Sequence, residues 1–356
     1  IEWVRGKALI GRDESLVRHG YTHFGTLLVT LLLWKVVPDL WIAPAIAGFA
    51  VVLAEIERRW NTEHLRVQVY ALGFVAFATF GVRYLGDTLS HNPLHLRWIA
   101  AGLVIFLLYY LFLQLRKRIA EGAIEGAERY LVEALSFEAA IATAILLDGE
   151  LKTVWVPAAW GVLSLVAFYL GLLTKDRHYG IKAYLLLAAT VSRTFVLNLW
   201  IAAPTFDEAA KIVSVVLVLL ILGIWYGGLF KNVRRVVAIG DQKSTEFESL
   251  VMTLVACSIG LMSAVLFYQE VPTRLLTVAW GMEALLLFAV GLWLGERDLR
   301  LFGLGFLSFC VLKVFFYDLA GLEGLPRISS FIVLGLILLL VSYLYTRFRQ
   351  TLQRYL

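Results

Sequence analysis

The chain has 356 residues, 60% of them hydrophobic and only 17% charged. A soluble domain carries about 25% charged residues, so this surface is not built for water. The composition excludes disorder, a coiled coil, collagen and most soluble enzymes, and it leaves a polytopic membrane protein. The net charge of +5 is modest, and it points to no nucleic-acid partner.

The chain begins at Ile1, so the natural start is expected upstream. No cleavable signal peptide is read, because Glu2, Arg5, Lys7, Asp13 and Glu14 fill the first stretch. Residues 1–20 read as an interfacial N-terminal segment.

A spanning helix needs roughly 20 apolar residues. Twelve such runs follow, at about 21–37, 40–57, 66–86, 97–115, 129–148, 152–173, 181–201, 208–230, 245–269, 272–294, 299–318 and 327–347. The first is the weakest, with His23 near its start and Lys35 near its end. The runs are continuous, as in Val215 to Leu222, where barrel strands would alternate. The fold class expected is therefore an all-α integral membrane protein.

Basic residues set the orientation. The N-terminus, the even-numbered connections and the C-terminus together hold 23 Lys and Arg, the other side six, and three lie within spans. The positive-inside rule then places both termini in the cytoplasm. The connections near 116–128 and 231–244 are the longest on the basic side, and they read as topology anchors or interfacial amphipathic pieces.

The chain also repeats itself. Residues 159–199 align without gaps to 279–319 with twelve identities, including Trp160-Gly161 with Trp280-Gly281, Gly171 with Gly291 and Arg177 with Arg297. Arg193 aligns with Lys313 and Asn198 with Asp318. A fainter copy starts at Pro44-Ala45-Ile46-Ala47-Gly48 and puts Arg83 and Asp87 in those places. The reading is three parallel repeats of four helices, at 21–118, 119–235 and 236–356. Gly161, Gly171, Gly281 and Gly291 are expected to admit close helix contacts.

The C-terminal stretch carries further motifs. Ala279-Trp280-Gly281-Met282-Glu283-Ala284 is followed by Val311-Leu312-Lys313-Val314-Phe315-Phe316-Tyr317-Asp318-Leu319, then by Leu322-Glu323-Gly324-Leu325-Pro326-Arg327. Over about its last 75 residues the chain resembles the predicted bacterial membrane proteins grouped as domain of unknown function 2339. The resemblance implies an inner-membrane location and nothing catalytic.

Charge inside a bilayer is costly, so each intramembrane ionisable group asks for a partner. Glu138 and Glu283 fall deep in their spans, and Trp280 stands one turn before Glu283 on the same face. They read as a proton or cation relay, a polar ligand contact, or interhelical hydrogen bonds. Arg83, Arg193 and Lys313 sit about one turn from the outer ends of related helices. They read as an anion-accepting vestibule, as snorkelling side chains or as a repeated clamp. Asp318 and Arg327 flank the last outer loop and read as an ion pair closing it.

No catalytic residue, metal site or cofactor is assigned. The six histidines make no paired helical motif, since Pro93 separates His91 from His95, and Cys257 and Cys310 sit in apolar runs. Two function classes stay open. One is a transporter-like protein, or one handling lipids or small molecules through a polar path between repeats. The other is a non-catalytic structural or assembly subunit of a larger envelope complex. An enzyme acting on lipid-linked substrates ranks third. The expected partners are membrane lipids, other membrane subunits or further copies of the chain.

Overall fold

The computed structural model describes residues 12–60, 62–86, 93–174, 176–201, 207–239 and 242–314, with isolated positions between 332 and 343. The described residues are helical, with no strand among them. The helices are α1 (Arg12–Val36), α2 (Ile42–Trp60), α3 (Glu63–Leu85), α4 (Leu94–Ala120), α5 (Glu128–Glu150), α6 (Val156–Thr174), α7 (Arg177–Arg193), α8 (Glu208–Ile239), α9 (Gln242–Glu270), α10 (Thr273–Leu294) and α11 (Arg297–Lys313). A 3-10 turn, Asp39–Trp41, leads into α2, and a π-helical segment, Thr194–Ile201, continues α7.

Among the described residues, nine helices are long and apolar enough to cross a membrane. They match the second to tenth expected spans within a few residues. The remaining three expected spans stand apart. The first forms α1, which is not among the nine. The eleventh is described over the 17 residues of α11. The twelfth, 327–347, lies almost wholly outside the described residues, as do Asp318, Arg327 and Asp87.

Local chemistry sets the helix boundaries. Pro93 and Pro272 stand at the N-caps of α4 and α10, where a missing N–H costs nothing. Gly295 ends α10 in the left-handed conformation, with φ 75°. The basic-side connections are tighter than expected. Helix α4 runs on to Ala120 before a turn through Gly122 and Gly126, both with positive φ. Helix α8 runs on to Ile239, and α9 starts at Gln242. These stretches are extensions of spanning helices, not separate amphipathic pieces.

The chain divides into two compact units, residues 1–160 with 166–185, and 161–165 with 186–356. In the first, α2, α3, α4 and α5 pack around Ile46, Val69, Leu108 and Leu135, all at most 1% exposed. Lipid is as apolar as these side chains, so close packing and interhelical hydrogen bonds hold such a core. Gln68 on α3 supplies one seam, accepting from Thr26 Oγ1 at 2.5 Å and so tying α1 to the bundle.

In the second unit, the buried Trp225 on α8 donates to Ser164 Oγ at 3.0 Å. Gln269 on α9 donates to the carbonyl of Leu199 in the π segment, where the regular i to i−4 ladder is broken. Asn198 of the same segment donates to Ser214 on α8. Helices α10 and α11 meet backbone to backbone. A Cβ on Gly291 would lie 2.7 Å from Arg300 N, and one on Gly303 would lie 2.6 Å from Phe288 N. Gly161 lies against Ile221, and in the first unit Gly171 lies against Gly180, as expected of close-contact glycines. Among the described residues a Cβ at Gly281 would meet nothing within 4 Å.

Candidate functional site

The expected polar residues divide between the two units. In the second, α10 presents Trp280 and Glu283 to α9. Trp280 Nε1 donates to Ala264 O at 2.9 Å, and Ser263 Oγ donates to Glu283 Oε1. Side chains one turn apart on α10 thus reach consecutive residues of α9, as one shared helix face requires. Lys313 on α11 donates to Thr277 Oγ1 at 2.6 Å and lies 5.1 Å from the Trp280 ring centroid. Phe306 and Phe309 pack against the same indole.

In the first unit, Glu138 on α5 faces α3 at Gly73, with its Oε2 3.8 Å from where a Cβ would stand. Among the described residues, buried Glu138 Oε2 and Glu283 Oε2 accept no hydrogen bond. Arg83 Nη1 meets Asp39 Oδ1 at 2.5 Å, and its guanidinium lies over Trp34. Arg83 thus meets a residue of the 3-10 turn before α2, and Lys313 one in the second turn of α10. Arg193 ends the α-helical part of α7, where the π segment begins.

Sequence reasoning missed three charged constellations, because it counted their members as topology markers. Arg97, at the start of α4, donates to Glu150 at the end of α5 at 2.8 Å, and Tyr84 donates to the same carboxylate. Lys211, at the start of α8, pairs in the same way with Glu270 at the end of α9.

The second constellation joins α2, α3, α4 and α5. Arg66 Nε stands 3.6 Å from Glu57 and 3.4 Å from Glu128, while Arg118 Nη2 donates to Glu57 at 3.3 Å. Arg66 also donates to the carbonyl of Ala123 at 2.6 Å, which fixes the turn between α4 and α5. Glu57 and Arg66 are nearly inaccessible. A buried carboxylate with two guanidiniums is compensated in charge and in hydrogen bonding.

The third joins α4, α5 and α7. Arg116 pairs with Asp176 at 2.6 Å, and His178 Nε2 lies 2.6 Å from Glu133 Oε1. Beside them the buried Lys182 donates to Ser136 Oγ, with the rings of Phe112, Phe137 and Tyr179 around its ammonium. Three aromatic faces compensate part of the ammonium's lost hydration.

A groove of about 650 Å³ opens between the C-terminal halves of α2 and α4. Its wall is apolar, with Val51, Val52, Ile56 and Leu115. Its mouth carries Glu55, Arg58, Arg59, Trp60, Tyr110, Gln114 and Arg118. Arg58 holds Glu55 through two hydrogen bonds of 2.7 and 3.0 Å, and Arg59 stands 3.6 Å from the same carboxylate. The volume falls in the range of small-molecule sites. The lining is apolar along the helices and charged toward their ends.

Among the described residues no three His, Cys, Asp or Glu side chains converge to hold a metal ion. A family model described as predicted membrane protein (DUF2339) matches residues 15–348. The match covers nearly the whole chain, not the C-terminal stretch alone. No curated protein and no solved structure matches it.

Proposed function

Starting from the fact that the chain belongs to the DUF2339 family of predicted membrane proteins, we propose that it binds and handles membrane phospholipids at the groove between α2 and α4. The groove carries this reading. Its apolar wall follows the spanning part of two helices, and its charged and aromatic mouth lies where those helices end in Arg58, Arg59, Arg116 and Arg118. Arginine beside tryptophan and tyrosine suits headgroup depth. In this proposal the protein sits in the bacterial inner membrane with both termini in the cytoplasm, so the groove opens into the cytoplasmic leaflet.

The proposed architecture is twelve spans in three parallel four-helix repeats, with Asp318 and Arg327 closing the last outer loop. Two repeated contacts support the repeats. Trp160 donates to Ala144 O and Trp280 to Ala264 O, each across 16 residues. Arg97 with Glu150 and Lys211 with Glu270 each tie the last helix of one repeat to the first helix of the next.

A second reading, proton-coupled transport, is favoured by Glu138 and Glu283, each with one buried oxygen that accepts no hydrogen bond among the described residues. Intramembrane carboxyls of this kind carry protons in transport proteins.

The lipid reading is tested by quantifying phospholipid that copurifies in mild detergent. Val52→Trp fills the groove from a position 54% exposed, so it changes no buried core. Wild type should retain phospholipid and Val52→Trp should lose it. Equal retention by both proteins would reject the groove as the site.

A further inference from the structure

We propose that the groove selects a zwitterionic aminophospholipid, of the phosphatidylethanolamine type, over anionic and quaternary-amine lipids. This rests on the lipid-handling reading and adds the headgroup class.

The mouth is not simply basic. Arg59 and Glu55 stand one helical turn apart on α2, and both face outward, with side chains 73% and 41% exposed. Residues four apart on a helix have Cβ atoms about 5–6 Å apart. An ethanolamine phosphate carries its phosphate and its ammonium on one short two-carbon arm. A bound headgroup can therefore lay its phosphate against Arg59 and its ammonium against Glu55. Among the described residues Glu55 Oε2 accepts one hydrogen bond, from Arg58 Nε at 3.0 Å, and a carboxylate oxygen has room for a second donor.

The deeper mouth groups complete the match. Arg118 and Arg66 share Glu57 and Glu128 at 3.3 to 3.6 Å, so the four together add no net charge. Tyr110 and Gln114 on α4 face α2 across the groove and supply polar and aromatic contacts near the ammonium and the glycerol esters. Val51, Val52, Ile56 and Leu115 continue along the bilayer for the acyl chains.

The competing headgroups fit less well. Phosphatidylglycerol would keep the contact to Arg59 but bring Glu55 no cation beyond the Arg58 and Arg59 already beside it. Phosphatidylcholine would bring a cation that donates no hydrogen bond to the carboxylate. Losing one charge-assisted hydrogen bond corresponds to about a tenfold loss of affinity or more.

The test is native mass spectrometry of delipidated protein titrated with phosphatidylethanolamine, phosphatidylglycerol and phosphatidylcholine of identical chains. Wild type should prefer phosphatidylethanolamine by about tenfold. Glu55→Gln should abolish that preference while still binding lipid, and Arg59→Gln should weaken all three. Both positions are on the exposed face, and thermal melting checks that the variants fold. Equal binding of the three lipids by wild type overturns the headgroup assignment and leaves the lipid-handling reading standing. No lipid bound by wild type overturns both. A protein segment crosslinked into the groove in place of lipid also overturns both.

Discussion

Arg97 Nη2 stands 2.8 Å from Glu150 Oε2, joining the first turn of α4 to the last residue of α5. The Glu150 side chain is only 2% exposed, and Tyr84 donates to its other oxygen at 2.7 Å. Breaking a buried pair by removing one partner costs roughly 3–5 kcal/mol, because the other charge is left uncompensated. Arg97→Ala should therefore lower the melting temperature in detergent strongly, and Glu150→Ala by a similar amount. The double variant should lose less than the sum of the two. Strict additivity would show that the pair does not couple.

The glycines give a sharper contrast. Gly303→Ala drives a Cβ to 2.6 Å from Phe288 N and 3.0 Å from Ala284 O. Backbone cannot yield there, so a loss of about 1–3 kcal/mol is expected from overpacking. Among the described residues nothing lies within 4 Å of a Cβ at Gly281, so Gly281→Ala should be neutral or stabilising by up to about 1 kcal/mol, through helix propensity. Thermal melts of the two variants check the packing of α10 on α11. Equal losses in both would contradict it.

Glu138 and Glu283 differ in their partners. Ser263→Ala removes a hydroxyl that donates to Glu283, while Glu138 belongs to the other unit. Labelling by an apolar carbodiimide, followed by peptide mass spectrometry, reads each carboxyl separately. The Ser263→Ala variant should raise labelling at Glu283 and leave Glu138 unchanged. An equal rise at both sites would mean that the variant loosens the whole protein.

Orientation is tested by cysteine accessibility in intact cells. Lys152→Cys lies in the short connection between α5 and α6, expected outside. Gly122→Cys lies in the turn between α4 and α5, expected inside. A membrane-impermeant maleimide should label the first from outside and the second only after lysis. The reverse pattern would invert the topology.

Much of the fold was legible in the sequence. Continuous apolar runs placed nine spans close to α2–α10, because a helix in lipid must satisfy its backbone internally. Trp280 and Glu283 were read correctly as sharing a face, since that follows from helical spacing alone. The ionic constellations were not legible. Glu57, Arg66, Arg118 and Glu128 come from four different helices, and only packing brings them together. Lys182 looked like one more topology charge until Ser136 and three aromatic rings closed around it. The groove was missed because its two walls lie about 60 residues apart in sequence and neither carries a motif.

The central claim is that a phospholipid occupies the groove between α2 and α4, and photocrosslinking in native membranes tests it most directly. A photoreactive residue at Val52, on the groove wall, is compared with one at Val162 on α6, which is also exposed but lies outside the groove. The account predicts a phospholipid adduct that survives detergent washing at Val52 and only exchangeable labelling at Val162. The same labelling and the same wash-out at both positions would show that the groove holds no lipid beyond the surrounding bilayer.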